Sequence, residues 1–200
     1  MTLPFSVIVI TDWALGRPRL LEQVASALEA GPGVAVQHRH VGVTDAQFYD
    51  EAQALAAVCA RANAPLFING RLEVALALGA HLHCTTRSLQ PSEVRARLAG
   101  RWISTVVHDA DDDVTGADLA LVSPVFTPGS KVNDTRPPLG PGGFEAIARQ
   151  LPCPAFALGG VSPASVLRLQ HVRGVAAISS VLEAETPRDV VAALLKATRP

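Results

Sequence analysis

Ala157-Leu158-Gly159-Gly160-Val161, followed by Val175-Ala176-Ala177-Ile178-Ser179-Ser180-Val181, decides how this chain is read. Each stretch is a short apolar run that passes into small residues. Glycine and serine let a ligand approach the backbone closely and leave N–H groups free to point at it. Helical patterns follow both turns, so each could also present a helix N-terminus to an anion. Two such turns on the last two strands of a repeated strand–helix chain fall where a (β/α)8 barrel usually holds a phosphate. Gly159, Gly160, Ser179 and Ser180 are therefore the expected phosphate contacts. The plainer alternative is two tight barrel turns that bind nothing.

Working outward from these turns, apolar runs alternate with helical patterns along the whole chain. Strands are expected at Phe5–Thr11, Gly33–Arg39, Pro65–Asn69, His81–Cys84, Trp102–Val107, Leu119–Val122, Pro154–Leu158 and Gly174–Ile178. Helices are expected at Arg17–Ala30, Thr44–Asn63, Leu72–Leu78, Pro91–Leu98, Gly142–Gln150, Pro163–His171 and Pro187–Ala197, with a weak acidic helix around Asp111–Gly116. The strands read as continuous apolar runs, as they do when both faces are buried. Period and count favour an α/β fold of the TIM (β/α)8 type, one barrel domain over residues 1–200, with an open doubly wound sheet as the alternative. A long Pro/Gly loop, Ser123 to Pro141, separates the sixth strand from its helix.

Composition narrows the function classes. Of 200 residues, 48% are hydrophobic and 18% charged, enough apolar material for a substantial core. The formal net charge is −1 and there is no basic run, which speaks against nucleic acid and membrane surfaces as partners. The start, Met1-Thr2-Leu3-Pro4, lacks the charged region of a signal peptide, so a cytoplasmic location is expected. Cys59, Cys84 and Cys153 are too widely spaced for a zinc pattern and odd in number for a disulfide framework. Homo-oligomer formation stays open.

In a barrel, function gathers at the C-terminal strand ends. Here those ends read Thr11-Asp12, Gln37-His38-Arg39-His40, Asn69-Gly70-Arg71, His83-Cys84-Thr85-Thr86-Arg87-Ser88, His108-Asp109, Ser123-Pro124, Gly159-Gly160 and Ser179-Ser180. Nearly all are polar, while the opposite ends are mostly Pro, Gly and Ala. Buried polar groups need partners, and a ligand would supply them. Strand alternation puts Gln37 and Arg39 on one face, with Arg39 as an anion clamp; a salt bridge from Arg39 to Asp12 is the structural alternative. Asn69 suits an amide contact to a heterocycle. His83 and His108 are the acid/base candidates, with His38 and His40 behind them, whereas His81 and His171 look structural. In the long loop, Ser130 and Lys131 are candidate substrate contacts, with Lys131 expected either to fold over an anion or to stand as a solvated lysine on a mobile loop. The run Asp109, Asp111, Asp112, Asp113 reads as a helix-capping feature before it reads as a metal site, and no metal or other cofactor is expected.

Together these segments resemble the thiamine-phosphate synthase/TenI family of (β/α)8 barrels. The carriers are Ile10-Thr11-Asp12, Val36-Gln37-His38-Arg39, Ile68-Asn69-Gly70-Arg71, Ala75-Leu76-Ala77-Leu78-Gly79-Ala80, Leu82-His83, Ser123-Pro124-Val125-Phe126 with Ser130-Lys131, and the two turns quoted first. The resemblance implies a small phosphorylated heterocycle as partner, a thiazole phosphate or thiamine phosphate. Synthases of the family join a pyrimidine diphosphate to a thiazole phosphate, with magnesium held by carboxylates. One such Asp directly follows the third-strand Asn, where this chain has Gly70. Another follows the fourth-strand His, where this chain has Thr86-Arg87-Ser88. A basic residue two beyond the second-strand Arg is replaced by Val41. Without these the departing diphosphate would lack charge compensation.

Asn69-Gly70-Arg71 and the stretch from Leu82-His83 to Ser88-Leu89 look instead like the TenI branch. Its characterised members are thiazole tautomerases, which aromatise a carboxythiazole phosphate by moving a proton without metal. The histidine implied for that shuttle, just before Val125-Phe126, is Pro124 here, so another base must serve. The expectation is thus a metal-free thiazole tautomerase. A thiamine-phosphate synthase with substituted site residues, using magnesium, is the enzymatic alternative. A non-catalytic sensor or carrier of a thiamine-pathway phosphate is the third.

Overall fold

The computed structural model describes residues 3–127 and 136–198. Eight parallel strands, β1 (Val7–Ile10), β2 (Val34–His38), β3 (Leu66–Asn69), β4 (His81–Cys84), β5 (Ile103–Val107), β6 (Leu119–Val122), β7 (Ala155–Leu158) and β8 (Gly174–Ala177), pair in sequence order. Pairing of β1 with β8 closes them into a barrel, with Val7 opposite Val175. Closure excludes the open sheet and leaves no exposed strand edge.

The helices around the barrel are α1 (Arg17–Leu28), α2 (Asp45–Arg61), α3 (Leu72–Leu78), α4 (Pro91–Val94), α5 (Gly140–Ala148), α6 (Pro163–Val166), α7 (Ser179–Leu182) and α8 (Pro187–Ala197). Local chemistry sets their ends. The Thr44 hydroxyl accepts from the Gln47 amide at 3.2 Å and starts α2, with Asp45 in the first turn and Arg61 in the last complementing the helix dipole. Gly79, at φ 61°, ends α3 in the left-handed conformation that a side chain would strain. Phe48, Ala52, Leu55 and Cys59 recur at helical spacing and bury one face of α2 against the barrel.

Two apolar layers result. Outward-facing strand residues pack with the helices in the larger cluster, whereas Ile8, Ile10, Ala35, Phe67, Leu119, Leu121, Phe156 and Ala176 fill the barrel itself. Phe5 plugs the lower end, edge-on to Phe67 at 5.6 Å and to Trp102 at 5.5 Å. Gly174 is glycine for a steric reason: a Cβ there would lie 2.3 Å from the Phe156 ring. The interior is therefore packed by aromatic side chains from below, and the cavity lined by the strand-end polar residues lies at the C-terminal ends.

Three expectations are corrected. Residues 111–116 form turns, because the aspartates bond neighbouring backbone amides instead of capping a helix: Asp112 Oδ2 accepts from the His108 and Asp109 amides at 2.6 and 3.1 Å. The sixth helix stops at Val166, well short of His171. Ser179 and Ser180 lie inside a helix, forming the first turn of the short α7.

Candidate active site

A cavity of about 490 Å³ opens at the C-terminal end of the barrel. Gln37, Arg39, Asn69, His83 and His108, all anticipated from the strand ends, line it together. Its apolar wall is Ile10, Val106, Leu158 and Ile178. Ser130 and Lys131 lie outside the described residues.

The second strand behaves as its alternation requires. Gln37 points inward and is 1% exposed, and its amide Nε2 is buried with no hydrogen-bond partner among the described residues. A buried, unpaired amide costs about 1–3 kcal/mol, a cost that a ligand acceptor would remove. Arg39 sits above it on the same face. Its backbone is clasped by Thr11, whose Oγ1 accepts from the Arg39 amide at 2.9 Å and donates to the Arg39 carbonyl at 3.1 Å. No ion pair joins Arg39 to Asp12; the Asp12 carboxylate instead accepts from the Ala14 amide at 3.1 Å.

His38 faces the other way and is corrected as a base candidate. It is fully buried behind the barrel wall, where its Nδ1 accepts from Trp13 Nε1 at 3.2 Å and its Nε2–H donates to the Phe48 carbonyl at 3.1 Å. Burial pushes it down to about 4, so the ring stays neutral. His81, at the lower end, accepts from the Trp102 amide at 3.0 Å. It too is lowered to about 4, by burial and then by Arg101.

The cavity histidines differ in what holds them. His83 is 5% exposed, with Nδ1 at 2.9 Å from the buried Ser104 hydroxyl. His108 Nδ1 lies 2.6 Å from the Ser123 carbonyl oxygen. A carbonyl only accepts, so Nδ1 carries the proton and the lone pair of the neutral ring is on Nε2. The Asp112 turn holds the His108 backbone in place, which is what the acidic run does in this fold. His40 also lines the cavity and bonds Glu51 through Nδ1 at 2.8 Å.

Arg71, Thr85 and Arg87, which the strand-end segments contain without an assigned role, and Arg136, which they do not contain, complete the polar wall. Arg71 appeared only as part of a motif. Arg87 and Thr85 stand in the fourth-strand tail, and Arg136 in the long loop where attention fell on Lys131. Arg71 stacks its guanidinium 4.1 Å from the Phe48 ring centroid and donates to the Val43 and Thr44 carbonyls, tying the β2–α2 loop to β3.

The glycine and serine turns follow neighbouring strands, since Leu158 of β7 pairs with Ala176 of β8. Gly159 and Gly160 are both at positive φ, 95° and 60°. Part of the closeness they permit is used within the chain: a Cβ on Gly160 would lie 2.5 Å from the Thr127 carbonyl, and the Phe126 amide donates to the Gly159 carbonyl at 2.9 Å. Ser180 Oγ is buried without a hydrogen-bond partner among the described residues. The thiols of Cys59 and Cys84 are buried and raised to about 12 and about 11 by desolvation, which keeps them unreactive.

The comparisons agree with this geometry. The profile of a family described as "Thiamine monophosphate synthase" matches residues 7–181. The chain belongs to that family. It is 36% identical over 198 residues to a thiamine-phosphate synthase of Salinispora tropica, covering 94% of this chain and 95% of that one. A thiamine-phosphate synthase of Chloroflexus aurantiacus is 30% identical over 192 residues, covering 92% and 87%. Among solved structures, a thiamine phosphate pyrophosphorylase from Pyrococcus furiosus superposes with a TM-score of 0.82 at 25% identity, over 97% of this chain and 95% of that one.

The charge balance of this cavity is one-sided. Among its described lining residues are Arg39, Arg71, Arg87 and Arg136, with His40, His83 and His108, and no carboxylate. Gly70 and Ser88, which stand where the resemblance places magnesium carboxylates, are neighbours: a Cβ on Gly70 would lie 3.8 Å from Ser88 Cβ. Magnesium takes carboxylate and phosphate oxygens. The side chains at this point do not supply them, so the residues present do not fit the ion. Among the described residues no helix is long and apolar enough to cross a membrane.

Proposed function

We propose that this cavity binds a phosphorylated thiazole and moves a proton on its ring without a metal, as a thiazole tautomerase does. The observation that carries the reading is the cavity lining itself: four arginines and three histidines, with no carboxylate among its described lining residues, Asp45 and Glu51 pairing with Arg71 and His40 at 2.8 Å each from outside it. Such a site attracts an anionic ligand and offers proton carriers, but lacks the donors that magnesium-assisted diphosphate departure needs. The Gly159-Gly160 turn and the first turn of α7, Ser179-Ser180, would take the phosphate, with Ser180 Oγ gaining a partner that the described residues do not supply. Gln37 and Asn69 would contact the ring, and Arg39 a ring carboxylate. His83 and His108 stand as the first candidates for the proton.

The names of the relatives favour a second reading, thiamine-phosphate synthase, with arginines offsetting the diphosphate charge in place of metal. One experiment separates the two. Purified protein is given the kinetic thiazole tautomer, and separately the pyrimidine diphosphate with thiazole phosphate, with and without magnesium. The proposal expects tautomer conversion well above its spontaneous rate, unaffected by chelator. Formation of thiamine phosphate with no tautomer conversion would overturn it, and binding without either turnover would make the chain a sensor or carrier.

A further inference from the structure

A hydroxyl takes over from the sheet where β1 and β2 end. Register pairs Ile10 with Gln37, and the Thr11 amide adds one more rung, donating to the Gln37 carbonyl at 3.0 Å. The regular continuation of a parallel ladder would be the Arg39 amide on the Thr11 carbonyl. Instead the first strand turns away at Asp12, whose carboxylate caps the helical turn Trp13–Leu15. The Thr11 side chain replaces the missing rung and serves both main-chain groups of Arg39. Its Oγ1 accepts from the Arg39 amide at 2.9 Å and donates to the Arg39 carbonyl at 3.1 Å. A hydroxyl has one proton to give and lone pairs to receive, so the two bonds are compatible. Thr11 is 1% exposed.

This clasp matters because the head group of Arg39 is held by nothing else. Its guanidinium makes no ion pair or hydrogen bond among the described residues. Arg71, on the same wall, is different: it is tied to Asp45 and to the Val43 and Thr44 carbonyls. Residue 39 also stands one place beyond the end of β2, at the head of a loop. Successive side chains of an extended strand leave opposite faces. The orientation of the Arg39 backbone therefore decides where its side chain goes. It either follows Gln37 to the cavity or turns out beside His38 and His40, which bond the Phe48 carbonyl and Glu51 of α2. The Thr11 hydroxyl extends strand geometry by the one residue needed for the first outcome. A side chain launched from a fixed backbone loses less freedom when it binds.

We infer that Thr11 is the positioning residue for Arg39, and that its hydroxyl sets how strongly the cavity prefers a carboxylated thiazole phosphate over one without the carboxylate. The inference rests on the reading that Arg39 meets a ring carboxylate. Thr11 is not among the residues lining the cavity, so it acts through Arg39 and not by contact. Linkage makes the effect reciprocal: a carboxylate that selects the clasped Arg39 also tightens the clasp.

Calorimetric titration of the full chain with thiazole phosphate, with and without the ring carboxylate, gives a preference ratio. Thr11→Val keeps the shape and removes the hydroxyl. It is expected to lower the ratio about fivefold, the size of one net hydrogen bond, with affinity for the ligand lacking the carboxylate nearly unchanged. Thr11→Ser, which keeps the hydroxyl, should restore the ratio. Arg39→Met should bring the ratio near unity, and adding Thr11→Val to it should change nothing further, because the two substitutions remove one interaction. A threonine that serves only stability would weaken both ligands alike. An unchanged ratio in Thr11→Val, with the ratio lost in Arg39→Met, would overturn the inference and leave the carboxylate reading standing. Wild-type protein that binds both ligands alike or neither, or Arg39→Met without effect, refutes that reading and the inference with it. A second readout needs no variant and covers the case in which Thr11→Val does not fold. Hydrogen exchange of the Arg39 amide in wild-type protein should slow when the carboxylated ligand is bound and stay as it is with the other. Equal exchange with both ligands would overturn the inference.

Discussion

The two ends of the barrel interior are built by the same strands and obey opposite rules. At the lower end β2 and β3 contribute Ala35 and Phe67, packed with Phe5 and Phe156 and sealed from water. Two residues further along the same strands, one pleat step up, they contribute Gln37 and Asn69 to an open cavity. Below, the apolar side chains are satisfied by contact, and the one unmet polar atom among the described residues there is Trp102 Nε1 at the rim. Above, among the described residues, the buried Gln37 amide has no partner and the cavity lining carries arginines but no carboxylate of its own, Arg71 being paired with Asp45 outside it at 2.8 Å. Folding free energy is concentrated in the first region, and unmet binding capacity in the second. Substitutions at the two ends should therefore separate stability from ligand affinity.

The largest effect belongs to the lower end. Phe156→Ala removes a fully buried ring that touches Phe5 at 5.9 Å. It is expected to lower unfolding free energy by about 4 kcal/mol, the usual cost of a large aromatic-to-alanine change in a core. Urea unfolding measures it, and the folded variant should keep the thermal shift given by thiazole phosphate. A loss of less than about 1 kcal/mol would mean that the lower end is not the packed half.

Next comes a pH effect from the wall behind β2. His38 is held neutral in the fold, at about 4 against an ordinary 6.5, by burial. The unfolded chain therefore binds the extra proton first. Stability from this group is complete above pH 6.5 and falls as pH drops toward 4, by about 3 kcal/mol in all. His81 adds to the same window. Chemical unfolding between pH 7 and pH 4 should show the slope, and His38→Gln should flatten part of it. An unchanged slope in that variant would show that the ring charges without penalty.

How far these regions were legible in the sequence follows the same division. The barrel was legible because eight apolar runs buried on both faces leave a continuous signal, and β4, β6 and α3 fall at their expected residues. Gln37, Arg39, Asn69, His83 and His108 were legible because strand alternation and strand-end position are local rules. Arg87 and Arg136 were not, since a loop side chain reaches the cavity through a path that no periodicity encodes. The Asp109–Asp113 run was misread because Asx turns and helix caps use the same residues; the choice depended on the tight return to β6. The Glu51–His40 pair was invisible for a different reason. A glutamate at helical spacing among apolar residues shows only that it is buried, and its partner is set by how α2 docks on β2.

At the upper end, Arg39→Met tests the clamp. The guanidinium has no ion pair with Asp12 to lose, so stability should change by less than about 0.5 kcal/mol. Affinity for a carboxylated thiazole phosphate should fall by about 1.5–3 kcal/mol, the range for a hydrogen bond to a charged group, or roughly tenfold to a hundredfold. Calorimetric titration measures it. Equal affinity in the variant would remove Arg39 from the site.

Gln37→Leu is the smallest perturbation and the sharpest contrast with Phe156→Ala. Leucine keeps much of the volume and removes an Nε2 that is buried and unpartnered. Because the unmet amide costs free energy in the empty protein, the variant should be as stable as wild type or more stable by about 1 kcal/mol. In the bound protein the same amide would contact the heterocycle, so the thermal shift given by thiazole phosphate should shrink. Stability and binding then move in opposite directions at one residue. A side chain kept for packing alone cannot do this, because its truncation or replacement lowers stability and leaves the ligand shift intact. If Gln37→Leu destabilises the fold and preserves the ligand shift, the upper end obeys the same rule as the lower, and the amide is structural.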